Sequence, residues 1–356
     1  MRLTRTRRFR QQALATCVFV ILSVCALAFL GPFLWMVTTS LKHDSQVFSP
    51  EVQWVPSVPT VKVPSVDSSG QKTETWVPEK LLRDTKGVRR VAVIEEMPDE
   101  RSRVQAVEPH GAVSGPQTVV PNASLKPVGR LAPQWHNYPA ALSSFPFWRY
   151  LTNTLFVCLM TMVGTLVSAA LPAYGFSRLR WPGRDPLFFI LIMTIMLPAQ
   201  VTMLPVFLIF RWLGWTGTFL PLIVPPFLGS AFSIFLLRQF FMGIPQELSD
   251  AARIDGCSEL GILGRVIVPM AKPALATVAL FAFTYAWMDF LNPLIYLHDE
   301  RHYTLAIGLQ AFLGRHGGEW SLLMAAATVI TIPMLLIFFF AQRTFIQGIA
   351  LTGLKG

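Results

Sequence analysis

The chain has 356 residues, of which 53% are hydrophobic and 14% charged, and its 30 Lys and Arg against 20 Asp and Glu give a net charge of +10. Soluble domains carry roughly a quarter charged residues, so this composition excludes an ordinary water-soluble protein and points to the bilayer. The positive excess does not indicate nucleic acid, because the basic residues sit beside apolar segments.

Six apolar stretches are long enough to cross a hydrocarbon core, which takes about 20 helical residues. They run over 13–39, 152–176, 187–210, 218–237, 273–296 and 321–340. A spanning barrel needs short alternating segments, and these runs do not alternate. Arg2, Arg5, Arg7, Arg8 and Arg10 precede the first run with no acid among them, and Arg178, Arg180 and Arg184 follow the second. Arg238, Arg253, Arg265 and Lys272 mark the segment between the fourth and fifth, while Arg343 and Lys355 follow the sixth. The positive-inside rule assigns all of these to the cytoplasmic side. Six spans then put both termini there.

The first run imitates a secretory signal, with a basic start, an apolar core and Ala26-Leu27-Ala28. Its length, about 27 residues against the roughly 7 to 15 of a signal's apolar region, favours an uncleaved helix. Cys17, Cys25 and Cys158 lie in spans and Cys257 in a loop, so no disulfide framework is expected.

Residues 40–147 change character: Pro, Val, Thr and charges of both signs dominate, with strand-like pieces at Thr60-Val61-Lys62-Val63 and Val88-Arg89-Arg90-Val91-Ala92-Val93-Ile94. The expectation is a small β-rich or irregular extracytoplasmic insert. Three parts follow: a cytoplasmic N-terminus with the first helix (1–40), the insert (41–147), and a core of five further helices (148–356) with a cytoplasmic loop at 240–270. Asn122-Ala123-Ser124 fits a glycosylation sequon, a pattern short enough to arise by chance.

Gly164 and Ser168 form a small-xxx-small pair in the second run, suited to close helix packing. Pro172, Pro198, Pro205, Pro221, Pro225, Pro226 and Pro333 interrupt the spans, and kinks are expected at Pro198 and Pro225-Pro226. Such kinks serve either simple packing or a pathway.

The most informative segment is Gly243-Ile244-Pro245-Gln246-Glu247-Leu248-Ser249-Asp250-Ala251-Ala252-Arg253-Ile254-Asp255-Gly256, then nine residues to Val266-Ile267-Val268-Pro269. It reads as two short helices. Pro245 suits a first helical turn, Gly256 a left-handed stop, and Ser258 a cap for the second helix. Ala251 and Ala252 leave a low-profile face fit for a partner's groove. A DNA-reading helix-turn-helix is disfavoured, because spans on both sides hold the pair against the bilayer.

This segment resembles the EAA loop of ABC importer permeases, with Asp250 standing for the Glu, Ala251, Ala252, Gly256 and Pro269 matching, and Val266 and Val268 replacing Ile and Leu. Further segments, Ala286-Trp287-Met288-Asp289-Phe290-Leu291-Asn292-Pro293-Leu294, Tyr303-Thr304-Leu305-Ala306-Ile307-Gly308-Leu309 and the ending from Gln342 through Gly353 and Lys355 to Gly356, resemble the carbohydrate, MalG-like branch of that family. The chain departs from the branch at Met288 and Asn292 and in its long first external loop.

The resemblance implies an all-α permease of a bacterial inner membrane that imports a sugar or sugar-like solute. It implies a coupling loop of Glu247, Asp250, Ala251, Ala252, Asp255, Gly256 and Pro269 that docks on a separate ATPase dimer, and a tail at Gly353 and Lys355 that reaches into it. A homologous second permease and an external solute-binding protein complete the implied assembly. No G-x-x-x-x-G-K-[ST] loop occurs in the chain, so ATP and Mg are expected on the partner ATPase and no cofactor on this one.

Asp289 is the one carboxylate well inside a span, where a charge is costly unless it meets water, a partner or a pore. Asn292 at i+3 would share its helical face, and Trp287 offers a ring to a sugar. The plainer reading is an acid near the external end of the span that satisfies a neighbouring helix or loop. His298 and His302 are separated by Asp299, Glu300 and Arg301, a solvated loop rather than a metal site. Glycerol phosphate is the rival cargo, although no Lys or Arg lies deep in the spans. A secondary transporter would have Asp289 alone as a coupling group.

Overall fold

The computed structural model describes residues 2–48, 53–66, 72–84, 87–108, 112–128, 130–315 and 319–353. The chain divides into two compact units, residues 1–144 with 313–329 and residues 145–312 with 330–356.

In the first unit, α1 (Arg2–Ser40) is apolar all round over its second half, and many of its large side chains between Leu14 and Leu34, Phe19 and Phe29 among them, are exposed. After α2 (Asp44–Val47) come six antiparallel strands: β1 (Thr60–Val66), β2 (Lys72–Asp84), β3 (Gly87–Glu96), β4 (Arg101–Val107), β5 (Val113–Pro121) and β6 (Leu125–Pro127). β1 to β5 pair in sequence order and β6 joins β2. Because side chains alternate across a strand, Ala92 joins Val61, Val63 and Val77 on one face, while Val91 and Val93 join Val104 on the other.

The two ends of this insert are tied to one another. The Gln134 amide accepts a hydrogen bond from the Thr60 hydroxyl at 2.5 Å and donates to the Val58 carbonyl at 2.8 Å. Asn137, the first residue of α3 (Asn137–Ser143), donates to the carbonyls of Ser40 at 2.8 Å and Lys42 at 3.0 Å, which satisfies acceptors left open where α1 stops. Trp76 stacks on His136 with ring centroids 4.2 Å apart. Burial holds the imidazoles of His43 and His136 below the ordinary histidine range.

The second unit is built on α4 (Phe147–Arg178), which packs against α8 (Ala231–Gly243), α12 (Lys272–Met288) and the 3-10 turn Pro225–Leu228. A side chain at Gly164 would stand 2.6 Å from the Phe227 ring, and the Ser168 hydroxyl donates to the Pro226 carbonyl at 2.7 Å. The small pair therefore seats the double-proline turn.

Pro198 and Pro225-Pro226 stand at breaks between helices, whereas Pro172, Pro205 and Pro333 lie inside continuous ones. The stretch 187–210 is two helices, α5 (Arg184–Ile195) and α6 (Ala199–Trp212), at 96° to one another. Leu197, preceding Pro198, is biased away from helical backbone by the proline ring. Likewise α7 (Leu220–Ile223) gives way to the 3-10 turn before α8 begins. The stretch 273–296 also divides: α12 stops at Met288 and α13 (Leu291–Tyr296) follows. The chain continues through α14 (Leu305–Arg315) to α15 (Trp320–Gly353). Among the described residues, four helices are long and apolar enough to cross a membrane, or six if each of two bent pairs, Arg184–Ile195 with Ala199–Trp212 and Glu259–Met270 with Lys272–Met288, is one span.

Candidate functional site: the loop between α8 and α12

α8 stops at Gly243 because Ile244 precedes a proline and is driven to extended backbone, with ψ of 135°. Pro245 stands at the N-cap of α9 (Gln246–Ile254), one position earlier than the first-turn place expected of it. At the other end Gly256 has φ of +81°, the left-handed stop that its sequence position predicts. The Ser258 hydroxyl accepts the Gly261 N–H at 3.2 Å and caps α10 (Glu259–Ile262). The Val268 N–H then reaches back five residues to the Leu263 carbonyl, a π turn over Leu263–Ile267. Pro269 follows in α11 (Val268–Met270), exposed at the surface.

Ala251 and Ala252 do not share a face, which corrects the low-profile surface expected of them. Neighbours in a helix point about 100° apart. Ala252, 8% exposed, packs into a cluster with Ile244, Ile262, Leu263 and Ile267, joined by Ala169 and Ala173 of α4 and Phe241 of α8. Ala251 faces outward with Glu247, Leu248, Asp250, Ile254, Asp255 and Gly256. Leu248, Ala251 and Ile254 recur at i and i+3, so they form one ridge, and Ile254 is 87% exposed. Leu260, 71% exposed, stands nearby in the chain on α10. Sequence reasoning missed Ile254 and Leu260. The signal was present as an apolar residue on the side of α9 opposite Ser249 and Ala252.

Charge organises the loop from within. Arg253 donates to Asp250 at 2.6 Å and to Glu259 at 2.7 Å and 3.3 Å, and the Glu259 carboxylate holds its guanidinium above the ordinary arginine range while burial opposes. The Tyr174 hydroxyl of α4 donates to Glu259. Arg178, the last residue of α4 and only 6% exposed, donates to Gln246 at 2.9 Å, to the Ile244 carbonyl at 2.6 Å and to the Phe241 carbonyl.

The three residues suggested for a substrate path are not arranged as one helical face. Asp289 ends α12 with extended backbone, and its carboxylate accepts the Asn292 N–H at 3.2 Å and the Asn292 amide at 2.9 Å. The pair is thus a local cap on α13. Trp287 is 6% exposed and stacks on Phe283, with ring centroids 5.8 Å apart. In the tail, Gly353 is the last residue of α15, and Lys355 lies outside the described residues.

The sequence matches the family model of the binding-protein-dependent transport system inner membrane component over residues 162–351. It is 34% identical over 214 residues to the arabinooligosaccharides transport system permease protein AraQ of Bacillus subtilis, covering 59% of this chain and 74% of that one. It is 32% identical over 240 residues to the sn-glycerol-3-phosphate transport system permease protein UgpE of Pectobacterium atrosepticum, covering 66% of this chain and 83% of that one. Among solved structures, a chain of a bacterial ABC transporter that imports the acidic polysaccharide alginate superposes with a TM-score of 0.62 at 22% identity, over 93% of this chain and 96% of that one. That is a likeness of fold, and its coverage is too large to leave the insert out. With more than half its length in the family model and relatives matched over most of their own length, the chain belongs to the family of inner membrane components of binding-protein-dependent transport systems.

Proposed function

We propose that the chain is one permease subunit of an ATP-binding-cassette importer for a sugar or sugar-like solute. It crosses the inner membrane six times, with both termini cytoplasmic and residues 41–147 as an extracytoplasmic insert. It works with a homologous second permease, an ATPase dimer that binds ATP and Mg, and an external solute-binding protein, and performs no ATP chemistry itself. The broken stretches 187–210 and 273–296 each count as one span in this reading. Lipid covers the most apolar stretch of α1, none of whose residues is buried in the described chain.

The observation that carries the proposal is the ridge of α9. Glu247, Leu248, Asp250, Ala251, Ile254 and Asp255 point outward on a helix anchored from behind by the apolar cluster around Ala252. An apolar knob rimmed by carboxylates is the surface of a helix that lies in a groove. In this reading Ile254 is the knob, Gly256 and Pro269 shape the loop, and the α15 tail with Gly353 and Lys355 approaches the ATPase. Asp289, Asn292 and Trp287 shape the external end of the path by fixing the break between α12 and α13.

The test is purification in mild detergent of the tagged chain co-expressed with its genomic neighbours. An ATPase copurifies with the wild type and falls at least about tenfold with Ile254→Asp, because an interface knob replaced by a charge loses roughly 2 kcal/mol or more. If no ATPase accompanies the wild type, the importer reading fails. The likeness to UgpE favours a second cargo, a phosphate-bearing polyol. Uptake of labelled oligosaccharides and of glycerol phosphate by the same cells separates the two.

A further inference from the structure

Within the loop between α8 and α12, α9 is held at both ends by one face of α4. Tyr174 and Arg178 are four residues apart, so they lie one above the other on that helix. Arg178 fastens the entrance: its guanidinium takes the Phe241 and Ile244 carbonyls where α8 ends and the Gln246 amide oxygen where α9 begins. Tyr174 fastens the exit through Glu259, the first residue of α10, and Glu259 in turn holds Arg253 of α9. Arg238 adds a bond from α8 to the Phe176 carbonyl of α4 at 3.2 Å. Between these two fastenings the buried side of α9 rests on Ala169 and Ala173, also of α4.

A loop tied only to its flanking helices would transmit a push to α8 and α12. This loop is clamped to a third helix that is distant in sequence and central in its unit, and a displacement of α9 cannot proceed without α4 unless the clamp opens. We infer that Arg178 and Tyr174 are positioning residues that carry the movement of the docking loop into α4. The inference rests on the importer reading for its source of motion.

The structure shows the clamp closed, and coupling through such an element changes by roughly two- to thirtyfold when one member is altered. The experiment uses the whole importer reconstituted in liposomes with its binding protein, and reads solute transported per ATP hydrolysed for each assembled complex. Arg178→Lys keeps the charge but loses the fork whose one nitrogen takes the two carbonyls while the other takes the Gln246 amide oxygen. Tyr174→Phe removes one hydroxyl and leaves the packing in place. Both variants are expected to retain the ATPase on purification and to hydrolyse ATP, while transport per ATP falls at least about threefold. A purely structural role would lower the yield or melting temperature and leave that ratio at the wild-type value. The wild-type ratio in assembled Tyr174→Phe complexes overturns the inference, whatever Arg178→Lys does. Absence of the ATPase from the wild-type preparation overturns the importer reading instead.

Discussion

Two interruptions in the helices of the second unit are built differently. At Ile244–Pro245 the chain turns from α8 into α9, and at Asp289–Phe290 it turns from α12 into α13. Each leaves backbone groups without helical partners. At the first, the partners come from Arg178, more than sixty residues away along the chain. At the second, the partners are Asp289 and Asn292, three residues apart. A turn closed by its own neighbours is self-contained. A turn closed from another helix moves with that helix.

The largest expected effect lies at the first turn. Arg178→Ala strips two buried carbonyls and one side-chain amide of a charged donor, at a cost of roughly 3 kcal/mol, read as a lower melting temperature of the solubilised complex. Gly256→Val, at the far end of the same helix, is expected to cost about 1–2 kcal/mol. The space around Gly256 is open, so the penalty comes from its φ of +81° alone. Asp289→Ala should cost about 1 kcal/mol, the ordinary value of a lost helix cap, and should leave transport per ATP unchanged. If Asp289→Ala proves as damaging as Arg178→Ala, the second turn is not self-contained and the comparison breaks.

The smallest effect belongs to the insert, and it sharpens the comparison by acting through pH. Burial lowers the His43 and His136 imidazoles below their ordinary value of 6.5. The unfolded chain then binds more protons than the folded one as pH drops through that value. Stability is full above about 6.5 and declines below it. Thermal melts of the full protein between pH 8 and pH 5 are expected to show the decline, reduced in His136→Gln, while the Arg178→Ala penalty stays the same at every pH.

The apolar runs at 13–39, 152–176 and 321–340 are legible in the sequence because each is a long, nearly charge-free stretch, and helices cover all three. The runs with internal proline are legible as membrane segments but not in shape. A proline announces a lost N–H without saying whether neighbours will hold the two halves in line, and in α5 and α6 they stand at 96°. The strand-like pieces at 60–63 and 88–94 lie in β1 and β3, yet nothing in them states that β6 pairs with β2.

By itself the sequence determined the family, the loop and its stops, because Pro245, Gly256 and Ser258 act on backbone within a few residues of themselves. Only the tertiary structure decided which side of α9 is free. Ala251 and Ala252 are the same residue in the pattern, and burial against α4 and α8 puts one inside and the other out. Only the tertiary structure, likewise, brought Tyr174 and Arg178 to the loop, since hydrogen bonds across 63 to 85 residues have no local signature. Local chemistry is written in order along the chain, whereas a contact between distant segments exists only once packing has brought them together.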